Sequence, residues 1–341
     1  MRHLVTVQKI ADIQPIEGAD AIEKAKVKEW WVVIKKDSFK VGDPCVFYEI
    51  DSFLPIKPEY EFLLKGNHPK KMLVDGQERE GIRLKTIKLR GQISQGLVLP
   101  VPEGIPQQID YDCTEELGVI KFELPISVQL SGLVKGAFPS FIPKTDEERI
   151  QNCAHLLEQF KGEEVYITSK LDGCSATFFK KDGEFGVCSR NLELKDSDGN
   201  TFWHIARQYD LMNKIPDNHA IQGEIIGEGI QKNPLKINKQ KLYVYNVYDI
   251  QKGEYKHYND FVKMTEELGL ERVPEISKQK LDFTIDSVLS FATAPSPLNP
   301  EVLQEGIVIR PLEEKTASIG GVLTRLSFKA ISNEYLLKNE E

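Results

Sequence analysis

The 341-residue chain reads as an α+β protein, with a barrel or sandwich of short strands first and helices set among antiparallel strands afterwards. Three observations predict this. β-Branched and aromatic runs separated by turn signals fill roughly the first 120 residues. A proline-containing stretch, Phe138-Pro139-Ser140-Phe141-Ile142-Pro143, marks a boundary. Beyond Val165, strand patterns alternate with helical ones.

In the first part the expected strands are Leu4 to Val7, Trp30 to Ile34, Val46 to Ile50, Ile82 to Leu89 and Gly96 to Leu99. Val41-Gly42-Asp43-Pro44 and Arg90-Gly91 punctuate them. About five short strands suit a small barrel, with the five-stranded OB barrel the natural candidate, and a sandwich fits the periodicity nearly as well. In the second part Thr145 and Glu148 have capping-box spacing, which predicts a helix carrying Ile150, Ala154, Leu157 and Phe160 and ending at Gly162. Strands are expected near 165–170, 176–180, 185–189, 220–226 and 242–250, and helices near 202–212 and 258–268. At roughly 150 residues per domain, the length suggests two domains.

Composition excludes several classes. The chain is 40% hydrophobic and 28% charged, which is ordinary for a globular protein and rules out a disordered or collagen-like one. No apolar run approaches the roughly 18 residues that span a bilayer, so no membrane is expected. The N-terminus lacks the apolar core of a secretory signal, so an intracellular location, cytoplasmic or nuclear, is expected. Five cysteines without a CxxC pair read as thiols in a reducing compartment, and the six histidines form no HxxxH or HExxH pattern. Net charge is 44 − 52 = −8, so nucleic-acid binding would need a local patch. The stretch from Lys65 to Arg90 offers one: Lys65, Lys70, Lys71, Arg79, Arg83, Lys85, Lys88 and Arg90 face only Asp75, Glu78 and Glu80. On charge alone a solvated strand face is the better reading.

The chemistry centres on Ser169-Lys170-Leu171-Asp172-Gly173. On a strand, Lys170 and Asp172 share a face, and Gly173 allows a turn or the close approach of a ligand. A lysine nucleophile must be neutral, which at pH 7 costs roughly 4.6 kcal/mol for an unperturbed amine; a neighbouring cation or bound metal lowers that cost. Taken singly, K-x-D-G fits a surface turn. It is followed in order by Ser189-Arg190-Asn191, Gly223-Glu224-Ile225-Ile226-Gly227-Glu228-Gly229-Ile230-Gln231-Lys232-Asn233, the Tyr243 to Ile250 run, Glu305-Gly306-Ile307-Val308-Ile309-Arg310-Pro311, and Ser327-Phe328-Lys329-Ala330-Ile331-Ser332-Asn333.

In order and spacing these segments resemble nucleotidyltransferase motifs I, Ia, III, IIIa, IV and V, shared by ATP-dependent ligases and mRNA capping enzymes. The motif III form is particularly like that of RNA ligases. Upstream, Ile16-Glu17-Gly18-Ala19-Asp20, Phe39-Lys40-Val41-Gly42-Asp43, Tyr48-Glu49-Ile50-Asp51-Ser52 and Leu54-Pro55 resemble the N-terminal OB domain of RNA ligases of the Naegleria/Deinococcus type. The resemblance implies an OB-fold RNA-binding domain over 1–125, a linker over 126–144 and an antiparallel-sheet nucleotidyltransferase domain of the ATP-grasp-like ligase kind over 145–341. Twelve residues follow Lys329 (341 − 329), so the C-terminal OB domain of DNA ligases and capping enzymes is not expected.

The implied activity is ATP-dependent sealing of RNA 3′-OH and 5′-phosphate ends, nicked duplexes included, through lysyl-AMP and RNA-adenylate. By resemblance Lys170 is the nucleophile, with Asp172 and Lys329 as its catalytic companions. Arg190, Glu224, Tyr248, Arg310, Lys329 and Arg149 hold the nucleotide, with Tyr245 the alternative to Tyr248 for stacking on adenine. Glu224 and Glu305 hold Mg²⁺ or Mn²⁺ through water. Arg149 is expected on the capped helix, where a plain surface arginine is an equal reading. The OB half turns Lys70, Lys71, Lys85 and Lys88 into RNA-backbone contacts. Two departures stand out: Lys329 of motif V is flanked by Ser327 and Ile331 where a second lysine is common, so that either Lys329 acts alone or Arg325 helps from a shifted position, and Thr168 replaces a glutamate that contacts adenine. The competing readings are a capping-type guanylyltransferase and a non-catalytic RNA-binding OB protein.

Overall fold

The computed structural model describes residues 3–65, 68–74, 77–123 and 133–339. The chain divides into two compact units, Met1–Pro125 with Leu336–Glu341, and Ile126–Tyr335.

In the first unit, strand Val5–Lys9 runs antiparallel to Pro44–Tyr48, which also pairs with Leu97–Leu99. The meander Asp12–Pro15, Ile22–Val27 and Trp30–Lys35 adds three strands. Along Trp30–Lys35 every second residue is buried, because Trp30, Val32 and Ile34 point inward while Trp31 and Val33 face outward. A core of Val5, Val7, Val46, Tyr48, Leu54, Tyr60 and Ile82 fills the unit. The strand expected over Ile82 to Leu89 is in fact two, Gln77–Arg83 and Ile87–Leu89. Ile87–Leu89 forms a hairpin with Gln92–Ser94, and its two turn residues, Arg90 and Gly91, both take positive φ.

The second unit contains two large sheets. One has seven strands in the order Val134–Ala137, Leu192–Leu194, Glu184–Cys188, Cys174–Lys181, His219–Ile226, Lys241–Asp249 and Glu254–Tyr255. The other has five, in the order Glu148–Arg149, Phe328–Ile331, Gly306–Pro311, Glu164–Lys170 and Glu275–Lys280. Helices Thr201–Gln208 and Tyr258–Leu268 contribute Phe202, Trp203, Ile205 and Phe261 to the core of the seven-stranded sheet, with Phe178, Val187 and Leu242. The five-stranded sheet packs Ile167, Ile307, Ile309 and Phe328 against Leu156, Leu157 and Val288. Within the expected linker, Val134–Ala137 is a strand of the seven-stranded sheet, while 124–132 lie outside the described residues.

The helix predicted from the Thr145/Glu148 spacing does not form there. Glu148–Arg149 is a strand parallel to Phe328–Ile331, a 3₁₀ turn spans Ile150–Asn152, and helix is confined to His155–Gln159. The would-be capping groups have other partners. The Thr145 hydroxyl lies 3.1 Å from that of Tyr245, and the Glu148 carboxylate accepts from the Arg149 amide and Asn152 Nδ2. Sheet pairing and distant side chains override the local pattern. Helix Ile285–Ala292 was not predicted, and Thr284 and Ser287 supply its capping box.

Candidate active site

Lys170 is the last residue of Glu164–Lys170, directly opposite Gly306 on the neighbouring strand. A Cβ on Gly306 would lie 2.1 Å from the Ala330 carbonyl oxygen, so only glycine lets the three strands close up here. Gly173 is likewise pressed against the Glu224 strand, its hypothetical Cβ 2.3 Å from the Ile225 carbonyl oxygen. These two close approaches bring motifs I, III, IV and V to one place.

Lys170 Nζ donates to both carboxylate oxygens of Glu305, each at 2.7 Å. Asp172 Oδ2 accepts from the Tyr335 hydroxyl at 2.6 Å. Burial disfavours charge on Lys170, yet Glu305, Glu224 and Asp172 outweigh it and hold its pKa above the ordinary lysine value. Burial, with Glu305 and Asp172, pushes the Glu224 carboxyl up to about 8 against the pull of Lys170 and Arg190. Burial also raises Glu305. Lys170 is therefore an ammonium clamped by Glu305 among three carboxyl groups. Among the described residues no group of three such side chains is arranged to ligate a metal directly. Carboxylates crowded enough to hold protons fit a divalent cation carrying its own water.

A second cluster gathers cations. Arg190 Nη2 donates to Asp146 Oδ2 at 3.0 Å, and Lys329 Nζ donates to Asp146 Oδ1 at 3.1 Å. Buried Arg310 pairs with Glu147. Burial opposes charge on Glu147, but Arg310, with Lys329 and Arg325, draws its pKa down to about 2. Arg149 is not on a helix surface; it is buried on the strand beside Lys329, its register partner. Arg325 forks onto Glu314, donates to Asn246 Oδ1 at 2.8 Å and lies 3.9 Å from the Tyr255 ring centre. Its donors are thus engaged away from the motif V position.

Of the two tyrosines weighed for adenine, Tyr248 sits in an apolar cluster with Ile142, Phe179 and Cys188, edge-on to Tyr255 at 5.0 Å. Tyr245 has Arg310 6.0 Å from its ring centre and hydrogen-bonds Ser175 through its hydroxyl at 2.8 Å; burial and the nearby Glu224 raise its pKa. Sequence reasoning missed Asp146, Glu147 and Tyr335. The first two were hidden inside the apparent capping box, and Tyr335 carries no local signal.

In the first unit Lys70 and Lys71 lie on the exposed strand Lys70–Val74, with Lys71 paired to Glu78 at 2.7 Å. Lys88 is exposed on Ile87–Leu89, Lys85 is half-buried, and Arg83 pairs with Asp51 at 2.9 Å. Asp75 lies outside the described residues.

A lysine-centred, antiparallel-sheet domain with an OB-fold barrel before it in the chain defines the polynucleotide ligase class. An OB-fold domain model matches residues 4–101, and the RNA ligase family model matches residues 163–331. None of the curated protein sequences compared with the chain matches it. Among solved structures, a mutant of the Naegleria gruberi RNA ligase with AMP and Mn matches at 40% identity and a TM-score of 0.88, over 99% of each chain. A mutant with ATP and Mn matches at the same values. The Naegleria gruberi ligase with PPi matches at 40% identity and a TM-score of 0.88, over 100% of this chain and 99% of that one. The chain belongs to the RNA ligase family, in its Naegleria form with an N-terminal OB-fold domain.

Proposed function

We infer that this ligase uses ATP to join RNA 3′-OH and 5′-phosphate ends through a lysine-bound AMP. The observation that carries the reading is Lys170 held by Glu305 at 2.7 Å beside Glu224 and Asp172, next in the same unit to Arg190, Arg310 and Lys329. Lys170 Nζ attacks the α-phosphorus, an N–P bond forms, and the bond to the pyrophosphate oxygen breaks as the amine proton leaves. AMP then passes to the RNA 5′-phosphate. The 3′-OH attacks that phosphate, and AMP departs. At each step charge moves onto phosphate oxygens, which Arg190, Arg310, Lys329 and Arg149 stabilise. Glu224 and Glu305 would hold a hydrated Mg²⁺ or Mn²⁺, whose charge offsets these carboxylates and favours neutral Lys170. Tyr245 or Tyr248 stacks on adenine.

The division of labour follows the chain. Residues 1–125 present RNA, with Lys70, Lys71, Lys85 and Lys88 on its phosphates, and 145–341 carry the chemistry, with Val134–Ala137 of the connecting 126–144 stretch built into their seven-stranded sheet. Cys45, Cys113, Cys153, Cys174 and Cys188 are free thiols, which suits a reducing compartment inside the cell. Among the described residues no helix is long and apolar enough to cross a membrane. The test is incubation with labelled ATP or labelled GTP and Mg²⁺. Covalent label from ATP, lost in Lys170→Ala, is expected; label from GTP alone would assign a guanylyltransferase.

A further inference from the structure

Thr145, Asp146 and Glu147 precede the Glu148–Arg149 strand, and each has a separate anchor. Thr145 Oγ1 is 3.1 Å from the Tyr245 hydroxyl. Glu147 pairs with buried Arg310 and accepts from Ser327 Oγ at 3.4 Å. Asp146, between them, splits its carboxylate between Lys329 on the five-stranded sheet and Arg190 in the turn that joins Glu184–Cys188 to Leu192–Leu194 of the seven-stranded sheet. Two oxygens of one anion bridging two cations at 3.0 and 3.1 Å is also how a phosphate group would bind them. The neighbours differ in access: the Asp146 side chain is 36% exposed and the Glu147 side chain 16%. Asp146 is the most exposed of the three. Tethering on both sides keeps it within reach after it has been displaced.

We propose that Asp146 is an internal stand-in for a nucleotide phosphate, exchanged off Arg190 and Lys329 by an incoming phosphate and returning to them as pyrophosphate leaves. The proposal rests on the reading that these two cations receive the phosphates of ATP. A carboxylate and a phosphate cannot share the pair without like-charge repulsion, so Asp146 competes with ATP on entry and with pyrophosphate after the step. It weakens ground-state binding and speeds clearance of the product.

The probe is inorganic pyrophosphate, titrated calorimetrically into the full chain. In Asp146→Asn and Asp146→Ala its Kd should fall about two- to thirtyfold, the fold-change that two exposed ion pairs are worth. Pyrophosphate should then inhibit ATP labelling at correspondingly lower concentration, and KM for ATP should fall. Unchanged pyrophosphate affinity in both variants would overturn the proposal. So would weaker binding with a raised KM, which would make Asp146 a positioning residue that aligns the two cations. Arg190→Ala separates this failure from failure of the site reading. Loss of pyrophosphate affinity there, with Asp146→Asn unmoved, sinks the exchange alone. Affinity unmoved by Arg190→Ala means that the phosphates bind elsewhere, and both readings fall.

Discussion

Glu147 and Glu224 are the same residue type in one unit, both drawn out of solvent, and their carboxyls move in opposite directions. Glu147 falls to about 2 and Glu224 rises to about 8. Burial raises both, so neighbours decide the outcome. Glu147 sits with Arg310, Lys329 and Arg325. Glu224 shares Lys170 with Glu305 and Asp172, and the weaker pull of Arg190 does not make up the difference. The first cluster is rich in positive charge and fits an anion, while the second is rich in negative charge and fits a cation. Phosphoryl transfer from ATP needs both, one for the phosphates and one for the metal that counters them.

The hardest blow to the carboxylate-rich cluster is to its nucleophile. Lys170→Ala and Lys170→Arg should both abolish covalent AMP labelling, because arginine keeps the charge and cannot attack. Label on either variant would remove Lys170 from the mechanism. Next is Glu305→Gln, which keeps shape and loses charge. Labelling in millimolar Mg²⁺ should slow about a hundredfold or more, the several kcal/mol of charge stabilisation that a metal site supplies, while ATP binding survives in part. Parent-like rates would make Glu305 structural.

The cation-rich cluster should show itself in stability. Glu147→Gln leaves Arg310 buried beside a neutral amide, which should cost about 3–5 kcal/mol at pH 7, read from urea unfolding. The pH dependence has a definite sign. The folded-state pKa of Glu147 lies below its ordinary value of 4.5, so its contribution is present above 4.5 and is lost as pH falls towards about 2. Parent and variant should therefore converge on acidification; a gap that widened instead would contradict the ion-pair assignment.

The smallest effect concerns the first unit. Reversing Lys70, Lys71, Lys85 and Lys88 to glutamate should leave ATP labelling near the parent level and weaken sealing of nicked RNA, most at low salt, with the gap to the parent narrowing as salt rises. Equal loss of both activities in a folded variant would place those lysines at the ATP site instead.

The order of motifs around Lys170, Arg190, Glu224, Glu305, Arg310 and Lys329 was legible because each sits in a short contiguous segment whose local sequence sets both backbone and chemistry, and the segments follow one another in a set order although Lys170 and Glu305 are 135 residues apart. Thr145 to Glu148 was misread because a capping box and a strand lead-in can share one sequence, and the partners that decided between them are distant. Ser175 lies 30 residues from Thr145 and Tyr245 lies 100. Tyr245 and Tyr248 could not be separated either. Regular alternation would set these two residues, three apart, on opposite faces, but the register shifts at Tyr245, where Gln222 pairs with Asn246 and Gly223 with Val244; Val244 and Val247 both enter one core, which leaves Tyr245 and Tyr248 on the side away from it.

The sequence by itself determined the α+β class, the strand-rich opening, the lysine centre and the family resemblance, since each depends on periodicity or spacing along the chain. Only the tertiary structure decided which carboxylates face Lys170 and that Arg149 is buried beside Lys329. It also decided that Asp146 and Glu147 hold Arg190, Lys329 and Arg310. Long-range charge pairing depends on which strands become neighbours, and pairs such as Asp172 with Tyr335, 163 residues apart, leave no local trace.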